Sequence, residues 1–492
     1  MKAAWSARGS GTLAAGVLLA LTLSTSANPA RGAATAAHAA AAVAQRDRLA
    51  YAILKQLVET DTTDSSGNVT TAAEAVAGRF RAAGFAAADI RVDGPDPRKK
   101  NLVVRLHGRG LHKPVLLMGH LDVVEARRED WSTDPFKLIE KDGYFYGRGT
   151  LDMKGPDAIM VATLIALKQE GFQPARDVIL ALTADEEGGC CNGMSWLVRN
   201  HRELVEAEFA LNQDDYSVIL EQDRPVYFRL DASEKLYADY QLTVTSRGGH
   251  SAEPVADNAI YTLTRGLDRL AGYEFPFELN DVTREYFRRM AGSVRGERAA
   301  DMRALLLTPP DPGAISRVSR DVVQYPVMRT TCVATRLEAG HANNALPQRA
   351  QAVVNCRILP GHSPLEIQQA LSALLADPAI TVRYLASDGH LLDQAPQQDA
   401  FAPPRLLPAL MAPLERVVGE MWPGLKVIPY MSPGASDAEH TSAAGIPTYT
   451  FAGVAVDASD DREHGRDERL GVESFYRGNE FFYRLLKSVT AR

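Results

Sequence analysis

The order of hydrophobic and polar positions predicts alternating helices and strands at both ends of the chain. Uninterrupted apolar runs such as N-L-V-V-R-L, P-V-L-L-M-G-H and D-V-I-L-A-L-T-A are typical of strands that are buried on both faces. Segments with helical periodicity separate them, near residues 157–170 and 193–204, and return near 404–421 and from Glu473 onward. This alternation predicts an α/β fold, with a mostly parallel mixed sheet and helices on both of its faces.

The pattern changes near Leu236, where apolar and polar residues begin to alternate one by one. Y-A-D-Y-Q-L-T-V-T-S and A-Q-A-V-V-N-C-R-I-L are typical of strands with one exposed face, and a helix is predicted from Pro364. Two helices and several such strands indicate a small α+β layer inserted into the first domain. The predicted order is a signal peptide and leader (1–34), a main domain in two parts (45–235 and 387–492), and the insert (236–386) between them.

The N-terminal segment has the layout of a secretory signal peptide. Lys2 and Arg8 precede the apolar run T-L-A-A-G-V-L-L-A-L-T-L, and small residues follow, with a cleavage site expected between Ala27 and Ala34. A membrane anchor is the alternative, but the run is shorter than the roughly 20 residues that a span needs. We therefore expect a secreted or periplasmic protein.

Length, charge and cysteine content narrow the class of protein. A chain of 492 residues is too long for one simple core, which agrees with two domains. The net charge of −7, without a run of Lys and Arg, argues against a nucleic acid as partner. The four cysteines form no Cys-x-x-Cys pair, so a thiolate zinc site is not expected. Cys332 and Cys356 lie in strand-like runs where buried thiols are expected, although export leaves a disulfide open.

Acidic and histidine side chains follow the strand-like runs at the point where each run ends. In chain order they are His120 and Asp122, Asp152, Glu186 and Glu187, Asp214 and Asp215, and His464. In an open α/β sheet, ligands bind at the edge where the carboxyl ends of the strands lie. We therefore expect these side chains to converge at one edge of the sheet.

Such a cluster predicts a metal site, because four or five neighbouring carboxylates cannot all stay ionised without cations. Imidazole and carboxylate ligands suit zinc, and manganese or cobalt is also compatible. Two metals need one bridging group and about two terminal ligands each. Asp152 is the candidate bridge, and the candidate terminal ligands are His120, Glu187, one of Asp214 and Asp215, and His464.

The adjacent carboxylates Glu186 and Glu187 predict two separate roles. Neighbouring side chains in an extended segment point in opposite directions, so that one Glu can bind metal while the other faces the water between the metals. The second carboxylate would act as a general base, helped by a metal that lowers the pKa of the water.

Five motifs together resemble the M20 family of di-zinc metallopeptidases. They are G-H-L-D-V-V, G-R-G-T-L-D-M-K-G, D-E-E-G-G, G-G-H-S-A-E-P and H-G-R-D-E-R, in the order in which the family has them. The family includes carboxypeptidases, dipeptidases, aminoacylases and deacylases of acetylornithine and succinyl-diaminopimelate. The resemblance covers most of the chain after residue 50, and it implies two Zn²⁺ ions per chain.

The resemblance assigns a role to each residue of the cluster. It implies that Glu186 is the general base and proton shuttle, and that Asp122 holds the His120 ring and thereby fixes its tautomer. The implied metal ligands are His120, Asp152 as the bridge, Glu187, Asp214 with Asp215 as the alternative, and His464.

The resemblance also makes the insert a lid through which two chains form a homodimer. His250 matches a lid histidine that reaches across the dimer to the scissile carbonyl oxygen and stabilises the oxyanion. Asn344 and Arg357 match residues that hold a substrate carboxylate, although this chain has Asn355-Cys356-Arg357 where the family often has Asp-x-Arg. Gly434, in G-A-S-D-A-E-H, matches a loop that lines the substrate pocket.

These expectations describe an exported, dimeric, zinc-dependent exopeptidase of the carboxypeptidase or dipeptidase type. Its substrate would be a small peptide or an N-acyl amino acid with a free carboxylate near the cut. An N-acyl amino acid amidohydrolase with the same metal site is the alternative, and the sequence does not separate the two. A non-catalytic peptide or metal binder is less favoured, because a binder has no need of the base Glu186.

Overall fold

The structure is a computed structural model that describes residues 29–188, 190–397 and 403–491. Its chain divides into two compact units, Met1–Gln45 and Arg46–Arg492. The predicted signal peptide falls mainly on residues 1–28, outside the described residues. The Ala-rich segment that follows is helical, as the first part of a helix over Pro29–Val58. None of the helices in these described ranges is both long and apolar enough to cross a membrane.

Helices and short strands alternate along most of the described chain. The α-helices are α1 (Pro29–Val58), α2 (Val69–Ala82), α3 (Lys154–Gln169), α4 (Gly193–Asn200), α5 (Arg202–Val205), α6 (Ala259–Ala271), α7 (Asp281–Met290), α8 (Gly296–Ala304), α9 (Pro312–Val318), α10 (Pro364–Leu375), α11 (Pro408–Met421), α12 (Ala438–Ala443) and α13 (Val472–Thr490). The strands are β1 (Ile90–Asp96), β2 (Lys99–Leu106), β3 (Val115–His120), β4 (Ile139–Lys141), β5 (Tyr144–Tyr146), β6 (Val178–Thr183), β7 (Phe209–Asn212), β8 (Val218–Glu221), β9 (Arg224–Glu234), β10 (Leu236–Thr245), β11 (Gly249–His250), β12 (Thr331–Ala339), β13 (Ala345–Leu346), β14 (Arg349–Ile358), β15 (Thr381–Leu385), β16 (Leu391–Leu392), β17 (Val427–Ser432), β18 (Thr448–Thr450), β19 (Ala455–Asp457) and β20 (Arg469–Gly471).

The largest sheet confirms the predicted fold class. Its strands lie in the order β1-β2-β6-β3-β7-β18-β9-β8-β19, and β17 pairs with β9. The central strands β6, β3, β7 and β18 are parallel to one another, whereas β1 and β2 add an antiparallel edge. The sheet is therefore mixed and mostly parallel at its centre, as the apolar runs predict.

Both faces of the central strands are buried, which explains why those strands are apolar throughout. All six residues of β3 and all six of β6 are buried. Along β3, Leu117 belongs to the main hydrophobic core, which includes α3 and α13, while Leu116 and Met118 belong to a second core that includes α4. Successive side chains therefore enter opposite cores, as the period of a strand requires.

A second sheet, in the order β12-β14-β10-β15-β16, forms the lid-like part of the chain. Helices α6 and α10 cover one of its faces and share a core with it. Cys332 of β12 lies opposite Cys356 of β14, and the two form a disulfide rather than the buried thiols expected from the sequence. A second disulfide joins the neighbours Cys190 and Cys191.

The segment between α6 and β12 contains three helices that the sequence pattern does not reveal. Residues of α7, α8 and α9 belong to the core of the large sheet, and α7 packs against β17. In D-V-T-R-E-Y-F-R-R-M the apolar side chains Val282, Tyr286, Phe287 and Met290 form one buried stripe. The charged residues between them make the segment polar on average. A prediction that rests on apolar runs therefore does not identify the segment as a helix.

Candidate metal and active site

The candidate site lies where neighbouring parallel strands end. The register pairs His120 of β3 with Thr183 of β6, and Met118 of β3 with Asn212 of β7. The residues that follow these strands therefore reach one edge of the sheet. The side chains that meet there are His120, Asp122, Asp152, Glu186, Glu187, Asp214 and His464.

His120 is buried at the end of β3, and both of its ring nitrogens have partners. Nδ1 lies 3.0 Å from the backbone carbonyl oxygen of Asp122. A carbonyl oxygen only accepts hydrogen bonds, so Nδ1 carries a proton and the ring presents Nε2 to the site. Nε2 lies 3.0 Å from Asp152 Oδ1 and 3.3 Å from Asp214 Oδ1.

Asp152 lies between two imidazoles, in the turn before α3. Its Oδ1 contacts His120 Nε2, and its Oδ2 lies 2.8 Å from His464 Nε2. Its backbone N–H donates to Glu468 Oε1 at 3.1 Å, which holds the turn in place. Each carboxylate oxygen thus faces a different imidazole, as a bridging ligand between two metals requires.

Glu186 and Glu187 lie in a turn rather than in the extended segment that the sequence suggests. Strand β6 ends at Thr183, and Asp185 has a φ of 62°, which turns the chain sharply. Glu187 Oε1 consequently lies 2.9 Å from His464 Nε2. Glu186 makes no ion pair within 4.0 Å in the described part of the chain. The turn therefore gives the two carboxylates different partners, although an oxygen of each lies within 4.8 Å of the other.

The Asp122 carboxylate contacts the backbone of this turn, and not primarily the His120 ring. It accepts the backbone N–H of Glu186 at 3.2 Å and that of Glu187 at 2.9 Å. Its Oδ1 is 3.8 Å from His120 Nδ1, beyond hydrogen-bonding distance. The ring is held by the backbone carbonyl of Asp122, and the side chain fixes the Glu186–Glu187 turn.

The two aspartates after β7 have different partners. Asp214 Oδ1 faces His120 Nε2, whereas Asp215 forms an ion pair with Arg229, which also pairs with Asp231 at 3.1 Å. Asp214 therefore belongs to the cluster and Asp215 to a separate buried ion network. This geometry favours Asp214 over Asp215 as the ligand.

Shared protons balance the charge of the cluster. The adjacent carboxylates of Asp152 and Glu187 raise the pKa of His464 to about 11. Burial alone would lower the pKa of His120, but the charges of Asp214 and Asp152 outweigh it and raise this pKa well above its usual value. Burial raises the pKa of Glu187 to about 7. Protonated imidazoles thus supply the positive charge that the carboxylates need.

The donor set fits two divalent cations. His120 faces oxygens of Asp152 and Asp214, and His464 faces oxygens of Asp152 and Glu187. A single N–H on His464 cannot point at both of its carboxylates, and Glu187 Oε1 is left without a hydrogen bond among the described residues. Asp152 belongs to both groups, so the complete set contains two imidazoles and three carboxylates. These are ligand types of zinc.

A cavity of about 1120 Å³ opens beside this cluster, between it and the exposed face of the second sheet. Glu186 and His464 line it on one side, and Arg357 lines it on the other. Gly434 directly precedes the lining residues Ala435 and Ser436 and donates its N–H to Ser432 Oγ at 3.1 Å. The volume exceeds the usual upper size of small-molecule pockets, about 1000 Å³, so that an extended substrate fits.

His250 and Asn344 lie together but apart from the cluster. They occupy the two-stranded β11–β13 region, where Ser251 N donates to the backbone oxygen of Asn344 at 3.1 Å. Both are exposed, and neither is among the described residues that line the large cavity. Within one chain they are not brought to the site.

Arg148 and Glu468 complete the site, although the sequence patterns did not single them out. Their side chains form a buried ion pair at 2.6 Å. Glu468 also accepts the N–H groups of Gly149, Leu151 and Asp152, while Arg148 donates to the backbone oxygen of Gly465 at 3.0 Å. Arg148 lies inside the motif G-R-G-T-L-D and Glu468 inside H-G-R-D-E-R. Only the fold shows that hydrogen bonds join these two motifs.

Two further acidic residues adjoin the cluster and were also missed. Asp437 is buried and accepts from Thr183 Oγ1 at 2.6 Å and from Asn192 Nδ2 at 2.7 Å, so that it anchors the end of β6. Glu463 forms a potential ligand group with Asp152 and His464. Its place beside His464 in the sequence was the available signal.

Comparisons with known proteins find a family match over most of the chain. A model of Peptidase family M20/M25/M40 matches residues 116–488. The chain is 28% identical to a probable carboxypeptidase S-like 2 from Dictyostelium discoideum, over 77% of this chain and 72% of that protein. It is 26% identical to the mouse (Mus musculus) N-fatty-acyl-amino acid synthase/hydrolase PM20D1, over 77% of this chain and 74% of that one.

Solved structures share the fold at low sequence identity. An M20 family metallo-carboxypeptidase from Sulfolobus solfataricus has a TM-score of 0.67 at 15% identity, over 90% of this chain and 99% of that one. The dipeptidase Dug1p of Saccharomyces cerevisiae has a TM-score of 0.63 at 16% identity, over 92% and 98%. The YXEP protein of Bacillus subtilis, described as a dinuclear metal-binding peptidase, has a TM-score of 0.53 at 11% identity, over 90% and 98%.

Proposed function

Because this chain belongs to Peptidase family M20/M25/M40, whose peptidases and aminoacylases hydrolyse peptide or amide bonds, we propose that it is a zinc-dependent exopeptidase of small peptides, of the carboxypeptidase or dipeptidase type. The observation that carries the proposal is Asp152, which faces a different imidazole with each carboxylate oxygen. A carboxylate that has no ion-pair partner among the described residues, Glu186, and a cationic side chain, Arg357, line the adjoining cavity.

Two Zn²⁺ ions are the proposed cofactors, and Co²⁺ or Mn²⁺ is compatible with the same ligand types. His120 and Asp214 would hold one ion, His464 and Glu187 the other, and Asp152 both. When bound, such ions lower the pKa of a water molecule and polarise the amide carbonyl.

Glu186 is the proposed general base. Burial raises the pKa of its carboxyl group well above the usual value, which makes it a better proton acceptor once it is ionised. It takes a proton from the attacking water and gives it to the nitrogen of the leaving amine. Asp122 supports this transfer, because its carboxylate holds the backbone of the turn that carries Glu186.

Arg357 is the proposed group that recognises the substrate carboxylate. It lies on the opposite side of the cavity from the cluster, and a guanidinium can grip a carboxylate with two parallel hydrogen bonds. This contact selects substrates whose cut lies next to a free carboxylate, which is the definition of a carboxypeptidase or dipeptidase substrate.

The alternative function is an N-acyl amino acid amidohydrolase. A specific observation favours it, since one of the relatives reported above is described as an N-fatty-acyl-amino acid synthase/hydrolase. The same cluster and the same carboxylate grip would serve both reactions. The two functions differ only in the group on the acyl side of the amide.

Export and dimer formation are further parts of the proposal. The charged, apolar and small-residue order of the N-terminus supports export, and disulfides such as Cys332–Cys356 persist mainly in oxidising compartments. The position of His250 and Asn344 outside the cavity of their own chain supports a homodimer through the lid. His250 of one copy would then stabilise the oxyanion in the site of the other.

The proposal is tested with the mature protein, zinc, and a panel of possible substrates. The panel contains dipeptides, longer peptides with free or amidated C-termini, and N-acetyl and N-long-acyl amino acids, and mass spectrometry identifies the products. We expect chelator-sensitive release of C-terminal residues that C-terminal amidation abolishes. Cleavage of N-acyl amino acids alone would establish the amidohydrolase instead, and no cleavage at all would contradict both.

A variant of the base separates catalysis from mere binding. Replacing Glu186→Gln should lower kcat by about 10²–10⁴-fold while two metals remain bound, since the general base is lost and no proposed ligand is. The matched control is Glu473→Gln, because that side chain is 86% exposed and is not among the residues that line the cavity. Unchanged turnover in Glu186→Gln would rule out the assigned base.

A further inference from the structure

Arg357 is held in an unusual way for an arginine that lines a polar cavity. It lies in β14 directly opposite Tyr237 of β10, and its guanidinium carbon is 4.7 Å from the centre of the Tyr237 ring. Among the described residues, its guanidinium makes no ion pair within 4.0 Å. An aromatic ring, and not a carboxylate, is therefore the group that supports it.

The Tyr237 ring is itself fixed by a short polar chain. Its hydroxyl donates to Asp239 Oδ2 at 2.8 Å, and Asn355 Nδ2 donates to the other oxygen, Asp239 Oδ1, also at 2.8 Å. Asp239 and Asn355 are a directly opposed pair, one step along the same face from Tyr237 and Arg357. Both strands therefore contribute to holding the ring.

This arrangement gives Asn355 a part in the support of Arg357. The acidic group of the chain lies across the ladder at Asp239 and acts on Arg357 through Tyr237. Cys356, between Asn355 and Arg357, points to the other face and is joined to Cys332. The disulfide and the polar chain thus fix this part of β14 from its two faces.

Support by a ring has a chemical consequence for Arg357. A carboxylate partner would occupy guanidinium N–H groups and cancel the positive charge, whereas an aromatic face attracts the cation without accepting those hydrogen bonds. The N–H groups in the guanidinium plane then stay available for a bidentate contact with another carboxylate.

We propose that Tyr237 is a positioning residue for substrate recognition, which holds Arg357 ready to bind a free carboxylate next to the scissile amide. The inference rests on the proposed function and names its specificity determinant. Tyr237, Asp239 and Arg357 all line the cavity that Glu186 and His464 also line. The enzyme's preference for free acids over amides therefore depends on an aromatic ring that touches no reacting atom.

The test compares an N-blocked dipeptide that has a free C-terminus with the same peptide as its C-terminal amide. Tyr237→Leu removes the ring and should raise KM for the acid about 3- to 30-fold, the range that loss of a cation–π contact spans. It should leave kcat for the acid within about twofold of the wild-type value. It should also leave the affinity for the amide, measured as its inhibition constant against cleavage of the acid, within about twofold.

Two further variants identify the cause of such a change. Tyr237→Phe keeps the ring and should restore KM for the acid to within about threefold of wild type. Tyr261→Leu, on α6, is the matched control, because Tyr261 is 60% exposed and is not among the cavity-lining residues. A loss in Tyr237→Leu that is equal for acid and amide, or no loss for the acid, would overturn the proposal.

Binding decides the question if the wild-type protein cleaves neither peptide, a result that would count against the proposed function alone. Zinc-loaded protein is then titrated with N-acetyl-leucine and with N-acetyl-leucinamide in a calorimeter. The proposal expects the wild type and Tyr237→Phe to prefer the carboxylate, and Tyr237→Leu to lose that preference. Equal affinity of the wild type for both compounds would overturn it.

Discussion

At the scale of single residues, neighbouring acidic side chains in this protein have distinct tasks because the backbone sends them to different partners. Asp214 faces His120 and Asp215 pairs with Arg229, although the two are adjacent in the sequence. Glu187 reaches His464, while Glu186 lines the cavity. The role of an acidic side chain at a strand end therefore depends on which partner the fold places beside it.

Substitution of the two aspartates should have opposite consequences. Asp214→Asn removes a proposed ligand and should lower metal content and activity together. Asp215→Asn should keep both metals but lower the free energy of unfolding by about 2–3 kcal/mol, less than the full cost of breaking a buried pair because Asp231 still faces Arg229. Metal analysis and denaturant unfolding of both variants make the comparison.

Each variant serves as the control for the other. If Asp215→Asn lost a metal and Asp214→Asn did not, the assignment of the ligand would be reversed. If both kept two metals and full activity, neither aspartate would be part of the centre.

The sequence could indicate these residues but could not assign all of their contacts. Runs that end in His120, Glu186 and Asp214 were visible, because the ends of parallel strands meet by geometry. The choice between Asp214 and Asp215 required Arg229, whose position opposite Asp215 follows from the strand arrangement. The contact between the Asp122 carboxylate and the backbone of the Glu186–Glu187 turn could not be predicted either. A sequence pattern does not show where a backbone N–H group points.

At the scale of elements, the turn before α3 and the turn that contains His464 are joined by one buried ion pair. Glu468, in the second turn, accepts hydrogen bonds from three backbone N–H groups of the first turn. Arg148, in the first turn, donates to the backbone oxygen of Gly465 in the second. Asp152 and His464 are positioned relative to each other through this connection. Two loops more than 300 residues apart in sequence are thereby joined, and together they hold the proposed ligands Asp152 and His464.

Loosening this connection should weaken metal binding without removing a ligand. Glu468→Gln should lower zinc affinity about 10- to 100-fold, as the loss of an outer hydrogen-bonding partner typically does. Excess zinc should restore most of the activity, because the ligands themselves remain. A competitive titration against a zinc chelator measures the affinity.

Asp467→Asn is the matched control for this prediction. Asp467 lies in the same turn, but its carboxylate bonds Ser132 rather than the turn before α3. We expect its zinc affinity to stay near that of wild type. An equal loss in the two variants would mean that the turn is merely sensitive to any change.

Elements with a strong apolar pattern were predictable, and those with a mixed pattern were not. Strands β3 and β6 are apolar throughout because two cores cover them. Helix α7 was missed because its buried stripe, including Phe287 and Met290, is interrupted by charged residues. The sequence left the Cys332–Cys356 disulfide open, since the bond depends on a strand register that pairs two cysteines 24 residues apart.

At the scale of the whole molecule, metal binding should be coupled to proton release. In the metal-free site the pKa of His464 is raised to about 11 and that of His120 lies well above its usual value, so both imidazoles are protonated at neutral pH. A metal binds the neutral imidazole, so each ring must lose a proton. The free protein therefore holds more protons than the loaded one, and a lower pH favours the free form.

Zinc affinity should accordingly fall as the pH is lowered from roughly 8 to 6, with at least two protons released per chain on saturation, one from each imidazole. Calorimetric titration in two buffers of different ionisation enthalpy counts the protons directly. The variant His464→Gln should release about one proton fewer. Affinity that is independent of pH would contradict the protonation states described here.

The central claim is that amide hydrolysis takes place at a two-metal centre that shares Asp152. The most direct test is to remove all metal by dialysis against a chelator, add zinc back stepwise, and measure turnover of the best panel substrate at each step. The account predicts no turnover without zinc, a maximum as occupancy approaches two per chain, and loss of both the second equivalent and activity in Asp152→Asn. Full turnover by the metal-free protein, or saturation of two sites without any turnover, would contradict it.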